Sequence, residues 1–164
     1  KQNTQSYFDN NLQKIVSVTS SLASSYFTSI SSKIFGEIKL AQFDSRAFVL
    51  PKEEVNNYFI FRQQDAIRNS VQMLARSTFP HKECQNKNCK QLKEMLLDKE
   101  IDWNKCPISQ QRGRCIKKQI SKKYVNESLK EIVRFDWLTD NFIPIFSKDK
   151  LYIDNFLIVQ DNNS

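Results

Sequence analysis

Apolar and polar positions repeat with a helical period near the start of the chain. Leu12, Ile15, Thr19, Leu22, Tyr26 and Ile30 recur at steps of three and four, and Val16, Ala23 and Phe27 widen the stripe. The spacing predicts an amphipathic helix over residues 8–30. Its other face carries Ser17, Ser20, Ser21, Ser24 and Ser25, either open to water or packed closely against another element. From Ile38 to Leu50 the pattern changes. Phe43, Phe48, Val49 and Leu50, stopped by Pro51, predict a strand. Lys52-Glu53-Glu54 opens a second long helix, with two acids near its positive end, that runs to about Thr78 before Pro80.

At 100° per residue, Tyr58, Arg62, Asp65, Asn69 and Arg76 fall in one narrow stripe of this helix. Ile60, Ile67, Val71, Leu74 and Ala75 fall on the side expected to face a core. Two readings of the polar stripe stand. It is an ordinary surface with pairs three and four residues apart, Asp65 serving Arg62 or Arg68. Or it is partly enclosed by Phe59 and Phe61, in which case its groups must be satisfied and form a site or a network. Further on come a polar loop (His81 to Lys90), a short helix (Gln91 to Lys99) and the turn Asp102 to Pro107. Strands are predicted over Cys115 to Ile120 and Lys130 to Leu138, followed by the apolar segments Ile143-Pro144-Ile145-Phe146 and Leu151-Tyr152-Ile153. The class is α+β (mixed), in a single domain over 1–164.

Composition adds a core and a direction. The chain has 164 residues, 40% of them hydrophobic and 26% charged, with twelve Phe and two Gly, which excludes a disordered chain. No apolar run is long enough for a membrane span and no secretory leader is visible, so a cytoplasmic protein without a membrane partner is expected. The net charge of +7 is concentrated. Residues 81–123 hold twelve basic and five acidic residues, and Arg112 to Lys123 hold six bases and no acid. Such a run is either a solvated surface or a surface for phosphates.

Motif chemistry mostly excludes. With glycine only at 36 and 113, Gly-rich phosphate loops are impossible. His81, Cys84, Cys89 and Cys106 have a spacing that could surround zinc, but lack a close Cys pair. Asp44 has no second carboxylate nearby with which to hold two metal ions. No catalytic residue and no metal ligand is assigned from the pattern.

Particular residues then carry a resemblance. Phe43-Asp44-Ser45-Arg46-Ala47-Phe48, and above all the helix segment Tyr58-Phe59-Ile60-Phe61-Arg62-Gln63-Gln64-Asp65-Ala66-Ile67-Arg68-Asn69-Ser70, resemble the tRNA(His) guanylyltransferase family. The likeness is to its bacterial and archaeal branch of 3′–5′ polymerases. Lys14-Ile15-Val16 through Ala23-Ser24-Ser25-Tyr26-Phe27, Asp102-Trp103-Asn104, Arg112-Gly113 and Ile143-Pro144-Ile145-Phe146 follow in the family's order. The resemblance spans about residues 8–155.

It implies part of a polymerase-palm-like domain, with long helices packed on an antiparallel sheet. It implies a nucleotidyltransferase that adds nucleotides to the 5′ end of tRNA in maturation or repair, with GTP and ATP as substrates and Mg²⁺ as cofactor. Partners would be tRNA, nucleoside triphosphates and further copies of the chain in a tetramer. The family's metal-binding Asp-Gly-Arg and Ser-Asp-Glu lie upstream of the serine-rich helix, so this chain is expected to be a C-terminal portion that is inactive alone. The alternative is a non-catalytic RNA- or nucleotide-binding module. Arg62, Asp65, Asn69 and Asn104 would face the nucleotide and the tRNA end, and Arg112, Arg114, Lys117 and Lys118 the tRNA backbone. Ile67 stands where the eukaryotic enzymes have the His of His-Ile-Asn-Asn, which points to template-dependent repair rather than obligatory addition of G.

Overall fold

The computed structural model describes residues 6–125 and 130–158, with side chains over 6–119 and 136–156. Six helices and one ribbon follow in the order α1 (Leu12–Phe35), α2 (Val55–Thr78), α3 (His81–Cys84), α4 (Cys89–Leu97), α5 (Ile108–Arg112), β1 (Cys115–Val125), β2 (Lys130–Asp140) and α6 (Leu151–Ile158). The described residues form two compact units, one over 6–52 and the other over 53–158. No helix among the described residues is long and apolar enough to cross a membrane.

In the first unit the limits of α1 are set by caps. The Asn11 side chain accepts from the Lys14 amide at 3.0 Å, and Gly36, at φ 76°, takes the left-handed turn that ends the helix. The helix therefore runs five residues past the apolar stripe. The predicted strand over 38–50 is absent, and these residues form no regular secondary structure. Hydroxyls of α1 explain this. Ser31 accepts from the Lys39 amide at 2.8 Å, Ser24 accepts from the Phe43 amide at 3.1 Å, and Thr19 bonds Ser45 at 2.7 Å. The returning segment spends backbone donors on hydroxyls of α1, so strand propensity finds no neighbouring strand to express it. Phe43 also meets Phe27 edge-on, with ring centres 5.7 Å apart.

The second unit is organised around α2. Val71 and Ala75 of α2 pack on Leu92 and Leu96 of α4, with Leu74, Phe79, Met95 and Trp103 around them. A second cluster joins Ile143, Phe146 and Ile153, with Val55 and Ile60 of α2 against it. Cys84 and Cys89 border the first cluster and Cys115 the second, each as a small apolar side chain. β1 and β2 pair antiparallel from Cys115↔Asp140 to Val125↔Lys130, a longer ribbon than the apolar pattern marks. This is the mixed class expected, with an antiparallel sheet. The ribbon is tied to α6 by the Tyr152 hydroxyl, which donates to Asp140 at 2.9 Å.

Candidate functional site

The long α2 has two chemically different polar faces. Asn56, Gln63 and Ser70 repeat every seven residues and form an inward seam. The Asn56 amide donates to the Lys150 carbonyl at 3.0 Å and to Asp154 at 2.9 Å. Gln63, only 5% exposed, grips the loop over 144–146 at both ends. Its amide donates to the Pro144 carbonyl, and its oxygen accepts from the Phe146 amide, each at 2.9 Å. Ser70 accepts from the Trp103 indole at 3.1 Å and lies 3.0 Å from the Gln111 carbonyl. Gln111 in turn donates to the carbonyls of Asn104 at 3.0 Å and Cys106 at 2.7 Å. Two loops are thus fixed to one helix by buried amides and a hydroxyl.

The second face lies about a third of a turn away. There Asp65 sits among three donors. Arg62 is 3.7 Å from one of its oxygens, which also accepts from Asn69 at 3.3 Å, while Arg68 pairs with the other. Both surface pairings open to Asp65 exist together. The aromatic neighbours do not enclose this stripe, contrary to the alternative drawn from their positions. Phe59 and Phe61 are 43% and 61% exposed, because adjacent residues on a helix point about 100° apart. Two guanidiniums on one carboxylate leave a net positive, water-exposed patch that can receive an anion.

Asn104 is fixed elsewhere. Its amide and backbone N–H both donate to Asp102, at 3.1 and 2.9 Å, and no hydrogen bond joins it to Arg62, Asp65 or Asn69 among the described residues. The basic candidates also divide. Arg112 donates through Nε to the Ile143 carbonyl at 2.9 Å and so braces the loop that Gln63 grips. Lys117 is 3.7 Å from Asp140 and lies over the Tyr152 ring at 5.5 Å. Lys118 projects from the opposite face of the ribbon, over Trp137 at 5.3 Å. Arg114 is exposed. The side chains of Lys122 and Lys123 lie outside the described residues.

Glu54, Asp65, Asp102, Asp140 and Asp154 of the second unit are engaged by protein donors. Asp140 is held below the usual carboxylate range, first by the Phe142 amide, then by the Tyr152 hydroxyl and more weakly by Lys117. Tyr152 is pushed up by burial and by its bond to Asp140, and so remains a donor. Among the described residues no three His, Cys, Asp or Glu side chains are grouped to hold an ion, the set His81, Cys84, Cys89 and Cys106 included. In the first unit, Asp44 is exposed and pairs with Arg46 at 3.3 Å. The described residues do not fit a magnesium centre.

No family model and no curated protein matches the sequence. Solved structures do. A bacterial tRNA(His) guanylyltransferase-like protein in complex with ATP is 44% identical over 95% of this chain, with a TM-score of 0.79. Another such structure, in complex with GTP, is 41% identical over 95% of the chain, with a TM-score of 0.71. In fold and in sequence this chain is similar to the bacterial tRNA(His) guanylyltransferase-like proteins. It spans 62% and 60% of the length of those two chains. The inward seam of Asn56, Gln63 and Ser70 is what reading the sequence missed. Its seven-residue spacing was the available signal.

Proposed function

We propose that this chain belongs to a nucleotidyltransferase that extends the 5′ end of tRNA with nucleoside triphosphates. The observation that carries this reading is the 44% identity over 95% of the chain to a tRNA(His) guanylyltransferase-like protein bound to ATP. The α2 patch supports it chemically. Arg62 and Asn69 offer donors to a triphosphate or to a terminal phosphate, and Asp65 positions both by pairing with them. Asn104, held from beneath by Gln111, supplies a second contact to the nucleotide. Arg114 and Lys118 supply positioning contacts to the tRNA backbone, with Arg112 and Lys117 closer to structural bracing. Magnesium-dependent 3′–5′ addition with the ion's ligands outside this chain, template-dependent repair and assembly into a tetramer complete the proposal. Since the carboxylates for two metal ions are not assembled among the described residues, a binding module without phosphoryl transfer is the second reading.

The test is nucleotide addition to a 5′-truncated tRNA with Mg²⁺ and all four triphosphates, by this chain and by the longest open reading frame that contains it, beside titrations of ATP, GTP and tRNA. Arg62→Ala is expected to weaken triphosphate or tRNA binding about tenfold or more, the worth of one hydrogen bond to a charged group. Its melting transition should stay in place because Arg62 is exposed. Unchanged affinities for both ligands would remove the α2 patch from the site. Addition by the longer protein alone supports the first reading, whereas tRNA binding with no addition by either protein favours the second.

A further inference from the structure

The basic segment contributes to a second place, apart from the α2 patch. The last turns of α2, with α3 and the loop before α4, surround a polar cavity of about 230 Å³. Gln72, Arg76, His81, Asn86 and Lys87 line it beside Leu92, and no Asp or Glu does. A water molecule occupies about 30 Å³ of liquid, so the hollow has room for a tetrahedral oxyanion and its remaining hydration. Arg62, Arg68 and Lys117 each have a carboxylate partner. Arg76, His81 and Lys87 make no ion pair among the described residues. Arg76 and Lys87 are unneutralised cations that focus positive potential in the concavity, and the amide side chains of Gln72 and Asn86 add donors without adding acid.

We propose that this hollow binds a phosphate group, either of an RNA backbone or of a nucleoside triphosphate. Arg76 offers a planar fork of donors and Lys87 a point charge from the facing loop, so one oxyanion can be held from two sides. Arg76 lies on the same stripe of α2 as Arg62, Asp65 and Asn69 but two turns beyond Asn69, so the hollow is displaced along the helix from that patch.

The experiment compares Arg76→Gln with Lys87→Gln as a double variant against a control pair, Lys99→Gln with Lys105→Gln. The control removes the same charge from exposed positions outside the cavity. A fluorescent single-stranded RNA and ATP are titrated against each full chain at several salt concentrations, with circular dichroism to check folding. The cavity variant should lose about tenfold or more in RNA affinity, and its salt slope should fall by about 0.7 for each phosphate no longer neutralised. The control should change less than about twofold. A loss for ATP with RNA unaffected assigns the phosphate to a free nucleotide, and the reverse assigns it to RNA. Equal losses from the cavity and control pairs overturn the proposal, as does indifference of both ligands to the cavity pair, or no binding of either by the unsubstituted chain. The result is independent of Arg62→Ala, which tests the other patch.

Discussion

The two longest helices have the same length, 24 residues each, and opposite fates. In α1 the only buried residue is Ser31, while Leu22 and Tyr26 from the middle of its apolar stripe are 59% and 69% exposed. In α2, Val71 and Ala75 are essentially sealed and two polar residues, Asn56 and Gln63, are buried with them. Apolar periodicity foretells a helix in both cases. Burial depends on what the chain brings back afterwards. After α1 it brings a segment without regular secondary structure that docks on serine hydroxyls. After α2 it brings α4, which lays apolar side chains on the helix, then a gripped loop and the start of α6, which also offer backbone groups to its amides.

The same chemical deletion should separate the two helices by the widest margin. Leu96→Ala, beneath α2, removes a side chain of zero exposure and is expected to cost about 2–5 kcal/mol. Leu22→Ala on α1 is expected to change stability by less than about 0.5 kcal/mol. Urea denaturation of both variants measures this, and similar costs would mean that α1 is as well packed as α2.

A smaller effect tests whether the seam holds by hydrogen bonds. Gln63→Ala leaves the Phe146 amide and the Pro144 carbonyl without their partner, and one buried unmade bond costs about 1–3 kcal/mol. Amide exchange at Phe146 should accelerate along with the fall in stability. Loss of stability with exchange unchanged at Phe146 would assign the cost to packing instead.

Legibility followed the range of the interactions involved. The α2 patch rests on residues three and four apart, so the helical period alone brings Arg62, Asp65 and Asn69 together. The limits of α1 were also legible, in Asn11 and Gly36, to a reader who weighs caps above apolar stripes. The strand expected over 38–50 failed because its donors are taken by Ser24 and Ser31, many residues away. The position of Asn104 likewise depends on Gln111 and on the Ser70–Trp103 bond across more than thirty residues. Neither contact has a local period. A buried glutamine looks, in a sequence, like any surface glutamine.

The smallest expected effect concerns the ribbon, whose attachment to α6 is polar like the seam but ionised. The Asp140 carboxylate accepts from the Phe142 amide and the Tyr152 hydroxyl, both at 2.9 Å. These bonds favour its charged form and hold it below the value of about 3.9 expected in the unfolded chain. The unfolded chain therefore takes up this proton first, so the stabilisation is complete above the unfolded value and disappears as pH falls through the folded one. Asp140→Asn should destabilise the protein at pH 7, and the difference between the two proteins should shrink as the pH is lowered below about 4. Denaturant midpoints of both proteins across that interval give the answer. A difference that stays constant would mean that Asp140 acts through shape and neutral hydrogen bonds, as Gln63 does, and that charge plays no part in seating the ribbon.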